Sequence, residues 1–254
     1  MEYDFSIISK VFDEYTSHFD MSVDKILYKY KHSYRVVSYT KELEEDLKLN
    51  EHDRYIAEII AMYHDIARFE QVVKYDTFWD VVSFDHGDRG AEILQEEKML
   101  DNFNLTDEEK EIVYMAVRNH NKFKIQDGLS DYELLFAQIV RDADKIDIVE
   151  MQFKNPAPEK CDIEPDILEN VSNDKQYERS ERTIEYNYAT RICMMLTFLY
   201  DVNFKKSFEI LIDRGIIKEK LDALKLSVNK QEEYEIIKNS IERFLKEKME
   251  SFNE

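Results

Sequence analysis

The sequence predicts an all-α fold, and three observations carry that prediction. Apolar residues recur at helical spacing along most of the 254-residue chain, no stretch alternates with the period of a strand, and only 4 Gly and 3 Pro interrupt the pattern. Helices are expected over about 5–17, 22–47, 52–70, 87–98, 107–120, 131–153, 178–201, 204–214 and 230–251. The second has Ser22 at its N-cap position and an apolar stripe through Tyr28, Val36, Tyr39 and Leu43. The third is lined by Ala57 and Ile60, the fourth by Gly90, Ile93 and Leu94. The fifth follows Thr106, whose "TDEE" is the best capping box in the chain, and its stripe is Val113, Ala116 and Val117. Ser130 caps the sixth, striped by Ala137, Val140 and Ile148. The segment "KNPAPEKCDIEP" then holds all three prolines and separates an expected helical domain, 1–154, from a helical extension, 166–254, packed on it. The last helix carries Ile237, Ile241, Phe244 and Leu245 at packing spacing.

Composition narrows the function. With 15 Phe, 16 Tyr and one Trp the chain can build a substantial core, and its charges are spread rather than blocked. The formal charge of −20 opposes sequence-independent binding to a nucleic-acid polymer. A small anionic substrate is compatible with it only where a metal or a few basic residues reverse the local potential. Cys161 and Cys193 form no metal or disulfide spacing, which suits a reducing compartment. The start "MEYDFSIISK" does not read as a signal peptide. The longest apolar run, "ICMMLTFLY", is far short of the roughly 20 residues of a membrane span. A cytoplasmic protein without a membrane partner is expected, and the tail helices offer a face on which two copies could pair as a homodimer.

Six histidines occur. His18 and His52 lie in polar surroundings beside helix starts and read as surface residues. The other four fall on inward stripes: His32 in line with Tyr28 and Val36, His64 with Ala57 and Ile60, His86 ahead of Gly90 and Ile93, His120 behind Val113 and Ala116. Asp144 joins the stripe of Ala137, Val140 and Ile148, whereas Asp142 points elsewhere, and Asp65 adjoins His64. A buried unpaired carboxylate costs several kcal/mol. Imidazoles and carboxylates directed at one core make that cost intelligible as a metal centre, and the donor set suits one or two ions of Mn, Fe, Co, Ni or Zn.

The ordered set His32, "YHDIARFE" with His64 and Asp65, His86, "RNHN" with His120, and "DADKID" with Asp144 resembles the HD-domain superfamily of metal-dependent phosphohydrolases. The resemblance covers roughly residues 20–150 and implies an HD-domain helical bundle. It implies that His32, His64, Asp65 and Asp144 hold one metal and that His86 and His120 add a second, with Asp65 bridging. A metal-activated water would then attack a small phosphate ester, a monoester or diester and in one case a nucleotide. Arg68, one turn beyond the doublet, is expected to clamp phosphate, and Lys145 to reach the pocket mouth; Arg35, Arg89 and Lys122 are weaker lining candidates. Single-metal relatives place an acidic residue where Arg68 stands, and the Gly-Tyr-Pro signature of the cyclic-dinucleotide phosphodiesterases is absent. Two alternatives share the ligands: a di-iron HD-domain oxygenase, and a non-catalytic metal-binding regulatory module.

Overall fold

The computed structural model describes residues 3–157, 159–178 and 185–253, and every regular element among them is helical. The chain divides into two compact units, Met1–Asp144 and Lys145–Glu254. The first holds α1 (Ser6–Thr16), α2 (Asp24–Asp46), α3 (Glu51–Tyr63), α4 (Ala67–Tyr75), α5 (His86–Glu96) and α6 (Asp107–Asn119). It also holds most of α7 (Asp131–Met151), inside which the division falls. The α2–α3 and α5–α6 pairs make the most extensive contacts, and α3 packs on α6. Their core includes Val36, Leu43, Ala57, Ile60, Leu94, Val113 and Val117, residues that the helical stripes assign inward.

Local chemistry sets where these helices start. Asn50 accepts the Asp53 amide at 3.0 Å to open α3, and Asp85 accepts the Gly87 and Asp88 amides to open α5. Thr106 forms a complete capping box with Glu109, and Ser130 exchanges the same pair of bonds with Glu133 at α7. Ser22 does not cap α2. The helix opens two residues later, because Asp20 takes the Ser22 amide at 2.9 Å in a turn of its own.

The expected helix over 52–70 is interrupted at the histidine-aspartate doublet. Across residues 64–66 the backbone winds tighter, with the Ile66 amide on Tyr63 O at 3.1 Å and the Arg68 amide on Asp65 O at 2.9 Å. The cause is local: His64 Nδ1 donates to Ala61 O at 2.8 Å, the carbonyl that a continuing α-helix would offer to the Asp65 amide.

The second unit contains α8 (Pro165–Ser172), α9 (Tyr188–Leu196) with a 3-10 turn over Thr197–Asp201, α10 (Lys205–Asp213), α11 (Ile216–Ser227) and α12 (Gln231–Ser251). The sequence pattern leaves α8 and α11 unassigned. The first is a short helix opened by Pro165, and the second follows Gly215, whose φ of +69° reads as a chain reversal. Expected residues 178–201 are helical only from Tyr188, and 179–184 lie outside the described residues. In α12, Ile237 and Ile241 are buried and the Phe244 ring meets Tyr200 at 4.7 Å, the behaviour of a packing helix. No described helix is long and apolar enough to cross a membrane.

The closest approach between α5 and the end of α6 is made at a glycine. A Cβ on Gly87 would lie 2.3 Å from Asn121 Oδ1 and 3.0 Å from Arg118 O. Gly87→Ala is expected to lower stability by about 1–3 kcal/mol through this overpacking, measured by urea unfolding; an unchanged midpoint would show that the two helices have room to separate.

Candidate metal centre

Five helices deliver six side chains to one buried point. His32 comes from the middle of α2, His64 and Asp65 from the tightened junction between α3 and α4, and His86 is the first residue of α5. His120 stands immediately after α6 and Asp144 lies on α7. All but Asp144, whose side chain is 14% exposed, are buried.

The contacts fall into two groups that meet at Asp65. His32 Nε2 is 3.1 Å from His64 Nε2, 3.0 Å from Asp144 Oδ1 and 3.3 Å from Asp65 Oδ2. His86 Nε2 is 3.1 Å from His120 Nε2, and these two nitrogens lie 3.4 and 3.5 Å from the other oxygen, Asp65 Oδ1. One carboxylate thus presents Oδ2 to one pair of imidazoles and Oδ1 to the other. Ligand atoms of His32, His64 and Asp144 lie within 4.8 Å of one another, as do those of His64, Asp65 and His120.

The hydrogen bonds behind the rings decide which nitrogen faces inward. His64 Nδ1 donates to Ala61 O, His120 Nδ1 to Val117 O at 2.6 Å, and His86 Nδ1 to Asp80 Oδ2 at 2.5 Å. Each bond fixes the proton on Nδ1 and leaves a lone pair on Nε2. For His86 and His120 this places two lone pairs 3.1 Å apart beside a carboxylate oxygen. Such an arrangement is repulsive without a cation between the atoms. Asp144 Oδ1 is buried with no hydrogen-bond donor, although an imidazole nitrogen lies near. The donor set therefore fits a divalent metal, and imidazole with carboxylate matches the borderline transition ions.

Charge around the centre follows burial. Burial pushes the His64 imidazole pKa down. For His86, burial and then the Arg68 guanidinium depress the pKa from 6.5 to about 4. Burial works against ionisation of Asp65, but the Lys29 ammonium on its Oδ2 and the His64, His120 and His32 imidazoles together outweigh it and hold the carboxyl well below the usual range. The His64 and His86 rings therefore stay neutral and the Asp65 carboxylate ionised at neutral pH, the states that ligation requires.

The basic residues divide differently from expectation. Arg68 Nη1 is committed to Gln71 Oε1 at 2.6 Å, Phe78 O at 2.7 Å and Asp80 Oδ1 at 2.9 Å, while its Nε lies 3.4 Å from Asp65 Oδ1. Lys145 Nζ donates to Asp201 at 2.5 Å. Arg89 is taken up by Glu70, Glu92 and Glu96, Lys122 by Asp85 and Asp88, and the Arg35 guanidinium lies over the Tyr28 ring. Besides Arg68, Lys29 touches the centre through Asp65 Oδ2; it is not singled out from sequence although it stands one turn before His32 on the same face. Arg141 is also unforeseen; it donates to the carbonyls of Asn119, His120 and Lys122 and so fixes the loop that carries His120. Asp142, which lies off the stripe of Asp144, is also fully buried, and His52 is half-buried against Glu109. His18 is exposed.

A protein-family model described as HD domain matches residues 30–148, a span that contains all six converging side chains. Residues 30–148 are an HD domain. HD domains bind divalent metals and are typical of metal-dependent hydrolases, and the His/Asp groups of this one stand in the matching segment. No curated protein and no solved structure shows significant similarity to the chain.

The depressed imidazole pKa has a sign that can be checked. An unfolded histidine takes up its proton near 6.5, whereas His86 in the folded chain resists it to about 4. The unfolded state therefore binds more protons between those values, and stability must fall as pH drops through that window. His86 alone contributes at most about 3 kcal/mol. Metal-free protein is expected to show a urea midpoint that declines from pH 6.5 to 4, with a smaller decline in His86→Gln; equal declines would remove His86 as the cause.

Proposed function

We propose that this HD domain is a binuclear metal-dependent phosphohydrolase acting on a small phosphate ester. One observation carries the reading: the two oxygens of Asp65 face two separate imidazole pairs, a layout suited to two cations that share one carboxylate. His32, His64, Asp144 and Asp65 Oδ2 would hold one ion; His86, His120 and Asp65 Oδ1 the other. When bound, a pair of divalent ions supplies Lewis-acid charge toward phosphate oxygens and acidifies water.

The chain's own residues account for the rest. Asp65 fixes the separation of the two positions, because a planar carboxylate on a tightened, buried turn has little freedom to rotate. The Nδ1 donors of His64, His86 and His120 hold the rings in one tautomer and one plane, so little reorganisation is needed on binding. Lys29 brings a positive charge to the rim of the centre, where it can pair with a phosphate oxygen without leaving Asp65 far behind. Its ammonium lies 5.4 Å from the Phe78 ring, an apolar wall that strengthens charge interactions by excluding water. Arg68 acts behind Asp65 rather than on substrate. An acidic protein with this local concentration of cations would favour a small phosphate over a polymer.

A screen of phosphomonoesters, phosphodiesters and nucleotides with Mn- or Co-loaded protein tests the activity. Turnover is expected to be unaffected by removal of oxygen; oxygen uptake with a mixed-valent di-iron signal would overturn the hydrolytic reading. Asp65→Ala should abolish metal binding at both positions and lower kcat/KM by more than the roughly 10- to 100-fold typical of losing an outer partner. Lys29→Gln should lower kcat/KM about 10- to 100-fold, the equivalent of one charge-assisted hydrogen bond, with metal content retained. Undiminished hydrolysis in either variant would remove that residue from the mechanism.

A further inference from the structure

Residues 76–85, "DTFWDVVSFD", link α4 to α5 and have no place in the ligand pattern. The segment runs through a 3-10 turn over Asp80–Val82, and its Asp80 and Ser83 side chains meet Arg68 and Gln71 of α4. Asp80 is the centre of these contacts. Its Oδ1 accepts from Arg68 Nη1 at 2.9 Å and Gln71 Nε2 at 3.0 Å. Its Oδ2 accepts from His86 Nδ1 at 2.5 Å and from Asn121 Nδ2 at 3.3 Å. Gln71 is itself fully buried and its Nε2 also reaches Ser83 Oγ at 2.7 Å, so the carboxylate is clamped by partners that have little freedom.

We propose that Asp80 is the positioning residue of the second metal position: it orients the His86 imidazole and, with Arg68 as its anchor, sets the affinity of that position. The inference rests on the binuclear reading. A carboxylate behind a ligating imidazole fixes the Nδ1 proton, points Nε2 at the ion and raises its basicity, and such an outer partner is typically worth 10- to 100-fold in metal affinity. His64 and His120 rely on neutral carbonyls, Ala61 O and Val117 O, and His86 alone of the three has a carboxylate. Arg68 acquires a role from the same geometry. Its guanidinium spans Asp65 Oδ1 and Asp80 Oδ1, so it ties the shared ligand to the carboxylate that steers His86. An acidic residue at position 68 would repel both.

Calorimetric titration of metal-free protein with Mn tests this. Wild type is expected to bind two equivalents. Asp80→Ala should weaken one equivalent 10- to 100-fold and leave the other within about threefold, with Asp80→Asn between, since the amide keeps an acceptor but loses the charge. A wild type that binds a single equivalent would overturn the binuclear reading and this inference with it. Two equivalents with unchanged affinities in a folded Asp80→Ala would overturn the role of Asp80 alone. A second readout needs no metal: the downfield ring N–H resonance of His86 in 15N-labelled protein should be present in wild type and Asp80→Asn and lost in Asp80→Ala. Its persistence in Asp80→Ala would show that another group holds the ring.

Discussion

The site depends on one carboxylate serving two groups of imidazoles. Asp65 reaches His32 and His64 with Oδ2 and His86 and His120 with Oδ1, and it can do so only because it sits at a break in the helix. In an unbroken helix the Asp65 amide would take Ala61 O. The His64 ring takes that carbonyl instead, and the winding tightens over three residues. The interruption that orients His64 is thus the one that lets its neighbour face the same centre. The surrounding packing is arranged to hold this junction still. Gly90 of α5 packs beside it, where an added Cβ would crowd Val117 Cγ1 at 3.2 Å and meet the His64 carbonyl at an ordinary 3.6 Å.

Burial and charge then reinforce one another. Six ligand-type side chains out of water would be costly, yet the cost is distributed: three rings have their outer nitrogens satisfied, and the carboxylate of Asp65 is balanced by Lys29. What is left unsatisfied points inward, toward the two oxygens of Asp65. This concentrates the chain's affinity for positive charge at one buried place. It also explains how a protein with a net charge of −20 can present an attractive site to an anion once metal is held there.

Most of the converging side chains were legible in the sequence because the helical stripes are regular. His32, His120 and Asp144 each follow apolar residues at one-turn spacing, and all three face the core. His64 and Asp65 were legible as a pair, but the break that makes them both inward was not, since no glycine or proline marks it. Lys29 was hidden by its type: a lysine on an inward stripe reads as a solvated side chain until a buried carboxylate is found beside it. Arg68 lay on the face that the spacing assigns, whereas the loop acceptors that its guanidinium serves had no signal in the sequence. Asp80 had no signal at all, because its segment has neither period nor motif and acquires meaning only where α4 and α5 bring it against His86. In the tail, α11 escaped notice because a glycine preceding a helix is more often read as the end of one.

The central claim is that Asp65 holds two cations, one on each oxygen. Anomalous diffraction at the manganese edge from crystals of Mn-loaded protein tests it most directly. Two peaks flanking the Asp65 carboxylate are predicted, one among His32, His64 and Asp144 and the other between His86 and His120. A single peak, with His86 and His120 turned away from it, would contradict the claim.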